Sequence, residues 1–303
     1  AQIYLKAPVI STQNAEFAKG FALTLSPGVN LASTFAGHYD LATYLVMTLS
    51  IFTALIFAVK KSWQKLFLIV LSLGLFWLQL RTGSRIAFFA LLISLPLSLL
   101  LSRKPIWIIP VFVIAAVGLA NTPAISSRFG SLVKVLQFKS MQNQIKGVFD
   151  DRSFLVKPIY AQQDSAPTPT LRPIQQDRST SIRFDVEWPM AIRSFKKNPF
   201  LGTGYGSLGL ATDNDYLRAL GETGLLGLAA FASVILSLLA AFFKGLKTIK
   251  DKLVKQYFIG ILSAVVGFLA IALFLDVFEA SKVATLFWMY TGLAVGFINK
   301  NNQ

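Results

Sequence analysis

Long apolar runs are the feature that most constrains how this chain can fold. Seven of them, each about 15 to 20 residues long, could cross a hydrocarbon core of about 30 Å as an α-helix. They are Leu41–Val59, Leu66–Leu80, Ile86–Leu101, Ile106–Ala120, Leu225–Phe243, Tyr257–Leu275 and Val283–Ile298. Hydrophobic residues make up 54% of the chain and charged residues 14%, whereas about a quarter of the residues in soluble domains are charged. The sequence therefore predicts an all-α integral membrane protein with about seven transmembrane helices.

Two residue counts narrow the possible chemistry. The chain has no cysteine and a single histidine, His38. Disulfides, thiolate metal sites and zinc centres built from several imidazoles are therefore excluded. We expect no cofactor, no metal and no nucleic-acid partner. The sequence begins at Ala1, without an initiator Met or a signal-peptide pattern, and we interpret it as a fragment or a processed chain.

The basic residues between the apolar segments predict the orientation, because cytoplasmic connections are enriched in Lys and Arg. If Leu66 starts on the cytoplasmic side, the inner connections carry 11 basic residues and one acidic residue, Asp251. The outer turns then hold Arg81, Arg85 and Lys282 with Asp276 and Glu279. We therefore expect an extracytoplasmic segment at 1–40, four transmembrane helices at 41–120, a large extracytoplasmic loop at 121–223, and three transmembrane helices with a cytoplasmic tail at 224–303.

The loop has an amphipathic first part and a polar middle. Arg128–Phe149 places apolar residues at helical spacing with lysines between them. This pattern suits a helix in the headgroup region, or one packed on the rest of the loop. Ala161–Thr180 is rich in Pro, Gln, Thr and Asp, and we expect it to be mobile because it has little to bury.

The end of the loop carries a second amphipathic pattern and a glycine-rich turn. A helix starting near Ser181 should end before Asn198-Pro199, because the residue before a proline avoids the α region. The glycines at 202, 204 and 206 then predict a tight turn. Thr212 or Asp213 could cap a short helix over Asn214–Leu220.

Three short polar or glycine-containing stretches lie next to apolar segments, in a definite order along the chain. The first is Ser33-Thr34-Phe35-Ala36-Gly37-His38, and the second is Thr82-Gly83-Ser84-Arg85. The third comprises Arg183, Trp188, Asn198-Pro199-Phe200-Leu201-Gly202-Thr203-Gly204-Tyr205-Gly206, Asp213-Asn214-Asp215-Tyr216-Leu217 and Glu222-Thr223-Gly224-Leu225-Leu226-Gly227. Together they resemble the O-antigen ligase and O-antigen polymerase superfamily over about Leu31 to Ile298. Ligases of that family commonly carry His directly before the Asn, where this chain has Asp213.

The resemblance implies a glycosyltransferase of the bacterial inner membrane that works on the extracytoplasmic side. The donor would be a saccharide linked to polyprenyl pyrophosphate, such as undecaprenyl pyrophosphate, and the acceptor a glycan, lipid or protein. An acceptor hydroxyl attacks the anomeric carbon and the pyrophosphate leaves. Negative charge grows on the leaving group, so the site needs fixed positive charge and hydrogen-bond donors in a partly dry place.

Arginines at the outer boundary are the candidates for that role. Arg85 lies in the first turn of its helix, where a cation opposes the helix dipole unless an anion joins it. Arg81 ends the preceding helix, and both could instead extend toward lipid headgroups. Arg183 matches the Arg of the family, although it could form a plain salt bridge with Glu187 four residues later. We expect Arg85 and Arg183 to act on the pyrophosphate and Arg81 to help bind the substrate.

The remaining candidates lie close to the expected acceptor. Asp213 could act as general base or could cap a helix. Further substrate-binding candidates are Gly204, Tyr205, Asn214 and Tyr216, although aromatic residues at membrane boundaries often serve as anchors. Asp213 and Asp215 form an Asp-x-Asp pair, but residues two apart on a helix do not share a face, so we expect no metal there.

A different function would also suit an arginine-lined pyrophosphate site. A lipid-linked oligosaccharide flippase or another polytopic transporter could hold the same group. Transporters typically place charges in mid-membrane and contain broken helices in repeats. No charged residue interrupts the seven apolar runs, and this favours the transferase.

Overall fold

A computed structural model of the chain describes residues 30–35, 37–121, 182–209 and 212–301. In chain order its elements are α1 (His38–Leu55), α2 (Ser62–Thr82), α3 (Arg85–Leu101), a 3₁₀ turn (Pro105–Trp107), α4 (Ile108–Ala120), a π-helical turn (Arg183–Glu187), α5 (Trp188–Lys197), α6 (Asp215–Thr248), α7 (Lys252–Ile271) and α8 (Ser281–Asn301). The described residues contain no β-strand. The predicted features at Arg128–Phe149 and Ala161–Thr180 lie outside them.

Each of the seven apolar segments lies mostly in helix, so the all-α prediction is confirmed. Among the described helices, three are long and apolar enough to cross a membrane, namely α2, α6 and α7. Shorter apolar helices cover Arg85–Leu101 and Pro105–Ala120. The total of seven spans and the position of the loop outside the cytoplasm remain predictions.

Helix α7 forms the centre of the bundle. In its apolar window 67% of the residues are buried, against 11% in both α2 and α6. Small residues bring its backbone close to α1 and α3. A Cβ added to Gly260 would lie 2.6 Å from Cα of Ile51, and one added to Gly267 would lie 3.0 Å from Cβ of Ser94. Close backbone approach at small residues is the usual way in which membrane helices pack.

Helices α2 and α4 turn large apolar side chains outward. Trp63 is 65% exposed and Phe67 61% on α2, and Ile109 is 68% exposed on α4. A soluble monomer rarely exposes a continuous apolar surface of this size. A hydrocarbon environment therefore accounts for these two faces.

The contacts between helices define two ends of the bundle. At one end, the Ser102 hydroxyl donates to Oε1 of Gln256 at 2.7 Å, which joins the end of α3 to the start of α7. At the other end, the Leu31 N–H donates to the Arg81 carbonyl and the Asp215 N–H to the Ala272 carbonyl. We call the first the basic end and the second the site end.

The two ends differ in charge. The basic end holds the connections at 56–61, 102–107 and 249–251. Every charged residue in them is a lysine or an arginine except Asp251. The site end holds the start of α1, the turn between α2 and α3, the start of α6 and the turn between α7 and α8. The basic residues that the sequence assigns to inner connections therefore gather at one end of the structure.

Helix α6 is interrupted at Gly224. It spans Asp215 to Thr248, but Gly224 has a non-helical φ of 66° and ψ of −165°, so a short helical piece precedes a longer one, as the sequence predicts. The prediction that Thr212 or Asp213 caps it is wrong. Asn214 is the cap, and its side-chain oxygen accepts the Leu217 N–H at 2.9 Å. Asn214 has the extended φ of −168° that suits an N-cap, whereas Asp213 has a left-handed φ of 49°.

Candidate functional site

A short strap before α6, residues 212–214, wraps around the carboxylate of Asp276. The Thr212 N–H donates to Oδ2 at 2.7 Å and the Asn214 N–H to Oδ1 at 3.0 Å. Arg218 adds Nη1 to Oδ2 at 2.8 Å. Asp276 follows the end of α7, so its carboxylate joins the start of α6 to the turn before α8.

The clamped strap presents Asp213 to Arg183. Both Nε and Nη2 of Arg183 lie 2.8 Å from Oδ2 of Asp213. The Arg183 side chain is only 7% exposed, and that of Asp213 is 28% exposed. A left-handed φ at a residue other than glycine is uncommon and is associated with functional sites. The two N–H bonds at Asp276 flank Asp213 and hold this conformation.

Arg183 begins a π-helical turn, in which the Trp188 N–H donates to the Arg183 carbonyl five residues earlier. Such turns often occur at functional sites. The alternative prediction, a surface salt bridge between Arg183 and Glu187, does not describe the structure, because Arg183 is buried and its ion pair is with Asp213. Helix α5 then ends at Lys197, before Asn198-Pro199 as predicted.

The glycine-rich turn fits against the kink in α6. All three of its predicted glycines have positive φ, which is 71° at Gly202, 103° at Gly204 and 77° at Gly206. A Cβ at Gly202 would overlap the Glu222 backbone, and one at Gly224 would overlap the Phe200 carbonyl. The predicted tight turn is therefore present, and close backbone contact requires a glycine on both sides of it.

Backbone hydrogen bonds join the turn to the kink in both directions. The N–H groups of Thr203 and Gly204 donate to the carbonyls of Gly221 and Glu222. In return, Leu225 and Leu226 donate to the carbonyls of Pro199 and Phe200. The kink leaves these helical groups without partners of their own, so the turn completes the hydrogen bonding of the helix.

A second group of charges surrounds Arg218. Its Nε lies 3.5 Å from Oε1 of Glu222 and 3.6 Å from Oε1 of Glu279, in addition to the bond with Asp276. The Tyr205 hydroxyl donates to Oε2 of Glu279 at 3.2 Å. Arg218 is thus surrounded by carboxylates, whereas the ion pair of Arg183 is with Asp213 alone in the part of the chain that the structure describes.

Burial and neighbouring charges shift the acidity of two carboxyl groups. Burial raises the pKa of Glu187 to about 7, with a further increase from the Asp213 carboxylate, an opposing effect of Arg183 and a smaller increase from Asp276. Burial also raises the pKa of Asp213, again opposed by Arg183. Both groups face the Arg183 guanidinium, so one cation links them electrostatically.

The other predicted arginines lie at the same end of the bundle. Arg85 is the first residue of α3, directly after the cap Ser84, whose hydroxyl accepts the Ala87 N–H at 3.3 Å. Arg81 lies in the last turn of α2, with its guanidinium carbon 6.0 Å from the centroid of the Trp77 ring. The structure thus brings Arg183 and Asp213 together and places Arg81 and Arg85 at the site end.

Three predicted substrate contacts already take part in the internal hydrogen bonding of the site end. Asn214 caps α6 and also donates its amide to the Leu273 carbonyl at 2.9 Å. The Tyr216 hydroxyl donates to the Leu269 carbonyl at 2.9 Å. The backbone of Gly204 bonds to Glu222, whereas Tyr205 is 79% exposed. A direct contact of these residues with substrate stays a prediction.

The two aspartates of the Asp-x-Asp pair bind different partners. Asp213 faces Arg183, whereas Oδ2 of Asp215 accepts the N–H groups of Val277 and Phe278 at 2.9 and 3.2 Å. Within the described ranges no group of three or more His, Cys, Asp or Glu side chains is arranged to hold a metal ion.

Sequence reasoning missed the cluster formed by Arg218, Glu222 and Asp276. Their side chains are 10%, 2% and 11% exposed. In the sequence, Glu222 belongs to the stretch Glu222–Gly227, and Arg218 and Asp276 are charges next to apolar runs. Charged side chains are rarely buried without an ion-pair partner, so the sequence indicates that partners exist. It does not indicate which residue pairs with which.

An apolar cavity of about 290 Å³ lies between α1, α2, α3 and α4. Leu49, Ile69, Leu95 and Trp107 are among its lining residues. They belong to the half of the bundle nearer the basic end, and none of the predicted site residues lines the cavity. It is therefore separate from the Arg183–Asp213 pair.

Comparison with known proteins gives one family match. The model of a family described as O-antigen ligase matches residues 71–232, which is more than half of the chain. The matched range contains Arg81, Arg85, Arg183 and Asp213, whereas Asp276 lies beyond it. No curated protein matches the chain.

Proposed function

The chain belongs to the O-antigen ligase family, and from this we propose that it transfers glycans from a polyprenyl-pyrophosphate donor on the extracytoplasmic side of the bacterial inner membrane. The family indicates a membrane enzyme that moves glycans, and the apolar helices α2, α6 and α7 suit this setting. We further propose that the transfer needs no metal ion.

One observation carries the proposal: a buried arginine faces an aspartate at one end of a membrane helix bundle. A guanidinium has five N–H donors; Arg183 donates its Nε–H to Asp213 and holds Nη2 2.8 Å from the same oxygen. The rest can bind the pyrophosphate of the donor. Charge-assisted hydrogen bonds of this kind strengthen as negative charge grows on the leaving group.

In this mechanism Arg85 and Arg183 both contact the pyrophosphate, and Arg81 adds a weaker contact at the membrane boundary. Asp213 orients the Arg183 guanidinium and borders the acceptor. The exposed Tyr205 and the turn at Gly204 line the approach to the acceptor, above the start of α6 where Asn214 and Tyr216 lie. The acceptor hydroxyl attacks the anomeric carbon, and the polyprenyl pyrophosphate leaves.

Alanine variants of the arginines test this assignment. We expect Arg183→Ala and Arg85→Ala each to lower the transfer rate by about 10²- to 10³-fold, the usual effect of removing one preorganised donor. Arg193→Ala is the matched control, because Arg193 lies ten residues after Arg183 on α5 and is exposed. Normal transfer by both variants, with the protein present in the membrane, would contradict the mechanism.

Single cysteines test the orientation, since the chain has none of its own. Phe200→Cys places a thiol at the site end, where Phe200 is 67% exposed, and Lys61→Cys places one at the basic end. An impermeant thiol reagent added to intact cells should label the first variant only. Labelling of Lys61→Cys alone would reverse the proposed orientation.

Glycan analysis separates the two reactions of the superfamily and the rival transporter. In a deletion strain, short units that persist without long chains would indicate a polymerase, and free polymer without attachment would indicate a ligase. Movement of labelled lipid across liposomes by the purified protein, with no change in glycan length, would favour a flippase instead.

A further inference from the structure

Three buried polar atoms in residues close to Arg183 or Asp213 along the chain have no hydrogen-bond partner among the described residues. They are Oε2 of Glu187, Nε1 of Trp188 and Oγ1 of Thr212. Thr212 is completely buried. Native structures leave few such atoms unpaired, and each one calls for an explanation such as a ligand or a functional role.

The three groups come from two elements that meet at the pair. Glu187 ends the π-helical turn that Arg183 begins, and Trp188 starts α5. The Trp188 ring is fixed by Phe184 and Phe274, with centroid separations of 4.5 and 6.0 Å. Thr212 belongs to the strap that Asp276 clamps. Their positions are therefore set by packing and not by solvent.

Their chemistry is complementary to that of a sugar. An ionised carboxylate only accepts hydrogen bonds, an indole N–H only donates, and a threonine hydroxyl does both. A hydroxyl group of an acceptor saccharide can pair with any of these groups, because it both donates and accepts. A purely apolar ligand would leave them unpaired.

Asp213 has one oxygen already committed to Arg183. Its Oδ2 accepts the Nε–H of Arg183 at 2.8 Å, with Nη2 at the same distance, and these contacts oppose the rise in the pKa of Asp213 that burial causes. Glu187 has a free oxygen next to the same cation. Burial, with the carboxylates of Asp213 and Asp276, raises its pKa to about 7 against the effect of Arg183, and a base acts best with a pKa near the working pH.

We propose that Glu187 is the general base that activates the acceptor, an inference that rests on the glycan transfer proposed above. Oε2 takes the proton of the acceptor hydroxyl while that oxygen forms its bond to the anomeric carbon. The bond between the anomeric carbon and the pyrophosphate oxygen breaks, and its electron pair leaves with the pyrophosphate. Trp188 and Thr212 orient the acceptor, and Glu187 then releases the proton to water.

The test uses the whole protein in lipid nanodiscs, supplied with membranes from a strain that lacks this chain as the source of donor and acceptor. Transfer is followed over a range of pH. The wild-type rate should fall as pH drops below about 7, because Glu187 then holds a proton. We expect Glu187→Gln to lose about 10²- to 10⁴-fold in rate, the range typical of a lost general base, and to lose this pH dependence.

Two further variants separate a base from a structural residue. Added formate should restore part of the rate of Glu187→Ala, because a small carboxylate can occupy the space and accept the proton. Asp185→Asn is the matched control on the same turn, where Asp185 is exposed, and it should keep the wild-type rate and pH profile. Asp213→Asn should transfer slowly and still depend on pH, with a lower midpoint, because the Asp213 carboxylate contributes to the raised pKa of Glu187.

The outcomes distinguish the two proposals. If the wild-type protein transfers glycan and Glu187→Gln shows the same rate and pH profile, Glu187 is not the base. The proposed transferase function would be unaffected by that result. Loss of the pH dependence in Asp213→Asn instead would assign the base to Asp213. Absence of transfer by the wild-type protein, with the lipid-linked donor present in the membranes, would refute the transferase itself.

Discussion

Replacing Asp276 by Ala gives the most direct test of how the site end is held together. The change removes a carboxylate that accepts two backbone N–H groups and one guanidinium N–H. The side chains of Arg218 and Asp276 are 10% and 11% exposed. The pair therefore belongs to the buried class, in which loss of one partner costs about 3–5 kcal/mol.

The remaining charges reduce this cost only in part. Glu222 and Glu279 lie 3.5 and 3.6 Å from Nε of Arg218, so the guanidinium keeps anionic neighbours. The N–H groups of Thr212 and Asn214 lose their acceptor, at about 1–3 kcal/mol for each group that stays buried. We expect the free energy of unfolding to fall by about 3–5 kcal/mol, with the anionic neighbours of Arg218 offsetting a cost similar to the one that the two unpaired N–H groups add.

Denaturant titration in mixed micelles, followed by tryptophan fluorescence, measures the change. Asp185→Ala is the matched control, because the Asp185 side chain is exposed on the π-helical turn and surface changes usually alter stability by less than about 0.5 kcal/mol. Equal unfolding free energies for the two variants would refute the reasoning. Asp276→Asn, which keeps one acceptor oxygen but loses the charge, should fall between them.

Three further outcomes follow from the structure. Gly202→Ala should lower the free energy of unfolding by about 2 kcal/mol or more, because backbone overlap adds to the strain of a positive φ. Gly204→Ala has open space around the added Cβ and should cost only about 1–2 kcal/mol. Equal losses in the two variants would contradict this reasoning. In the same unfolding assay Gly260→Ala should cost about 1–3 kcal/mol by overpacking, whereas Gly74→Ala, also in open space, should stay within about 1 kcal/mol of wild type. Glu187 has a folded pKa of about 7 against an ordinary 4.5, so its contribution to stability is complete below pH 4.5 and is lost as pH rises through 7. The melting temperature of the wild type should therefore fall relative to Glu187→Gln between about pH 5 and about pH 8, and a constant difference would refute the shift.

The helices were predictable because their signals are local. An apolar run long enough to span hydrocarbon must satisfy its backbone polar groups internally, and a helix does so without help from other segments. The end of α5 before Asn198-Pro199 follows in the same way from the restriction that proline places on the residue before it. The positive φ values in the glycine turn were equally predictable, since glycine adopts them at little cost.

The cap of α6 shows where local reasoning fails. Thr212, Asp213 and Asn214 all have side chains that can cap a helix. The choice among them depends on Asp276, which holds the N–H groups of Thr212 and Asn214 and leaves Asp213 in a left-handed conformation. That carboxylate is 62 residues beyond Asn214 in the chain, so no local pattern contains the information.

The sequence by itself determined the membrane helices, the contrast in charge between their two ends and the presence of arginines at the less basic end. Only the tertiary structure decided which charges meet: Asp213 with Arg183, 30 residues apart, and Asp276 with Arg218, 58 residues apart. Helical period and hydropathy depend on neighbours along the chain, whereas an ion pair depends on which helix ends pack together in space. For this reason the sequence predicts Glu187 as a possible salt-bridge partner of Arg183, whereas in the structure Asp213 forms that ion pair and Glu187 keeps an unpaired oxygen.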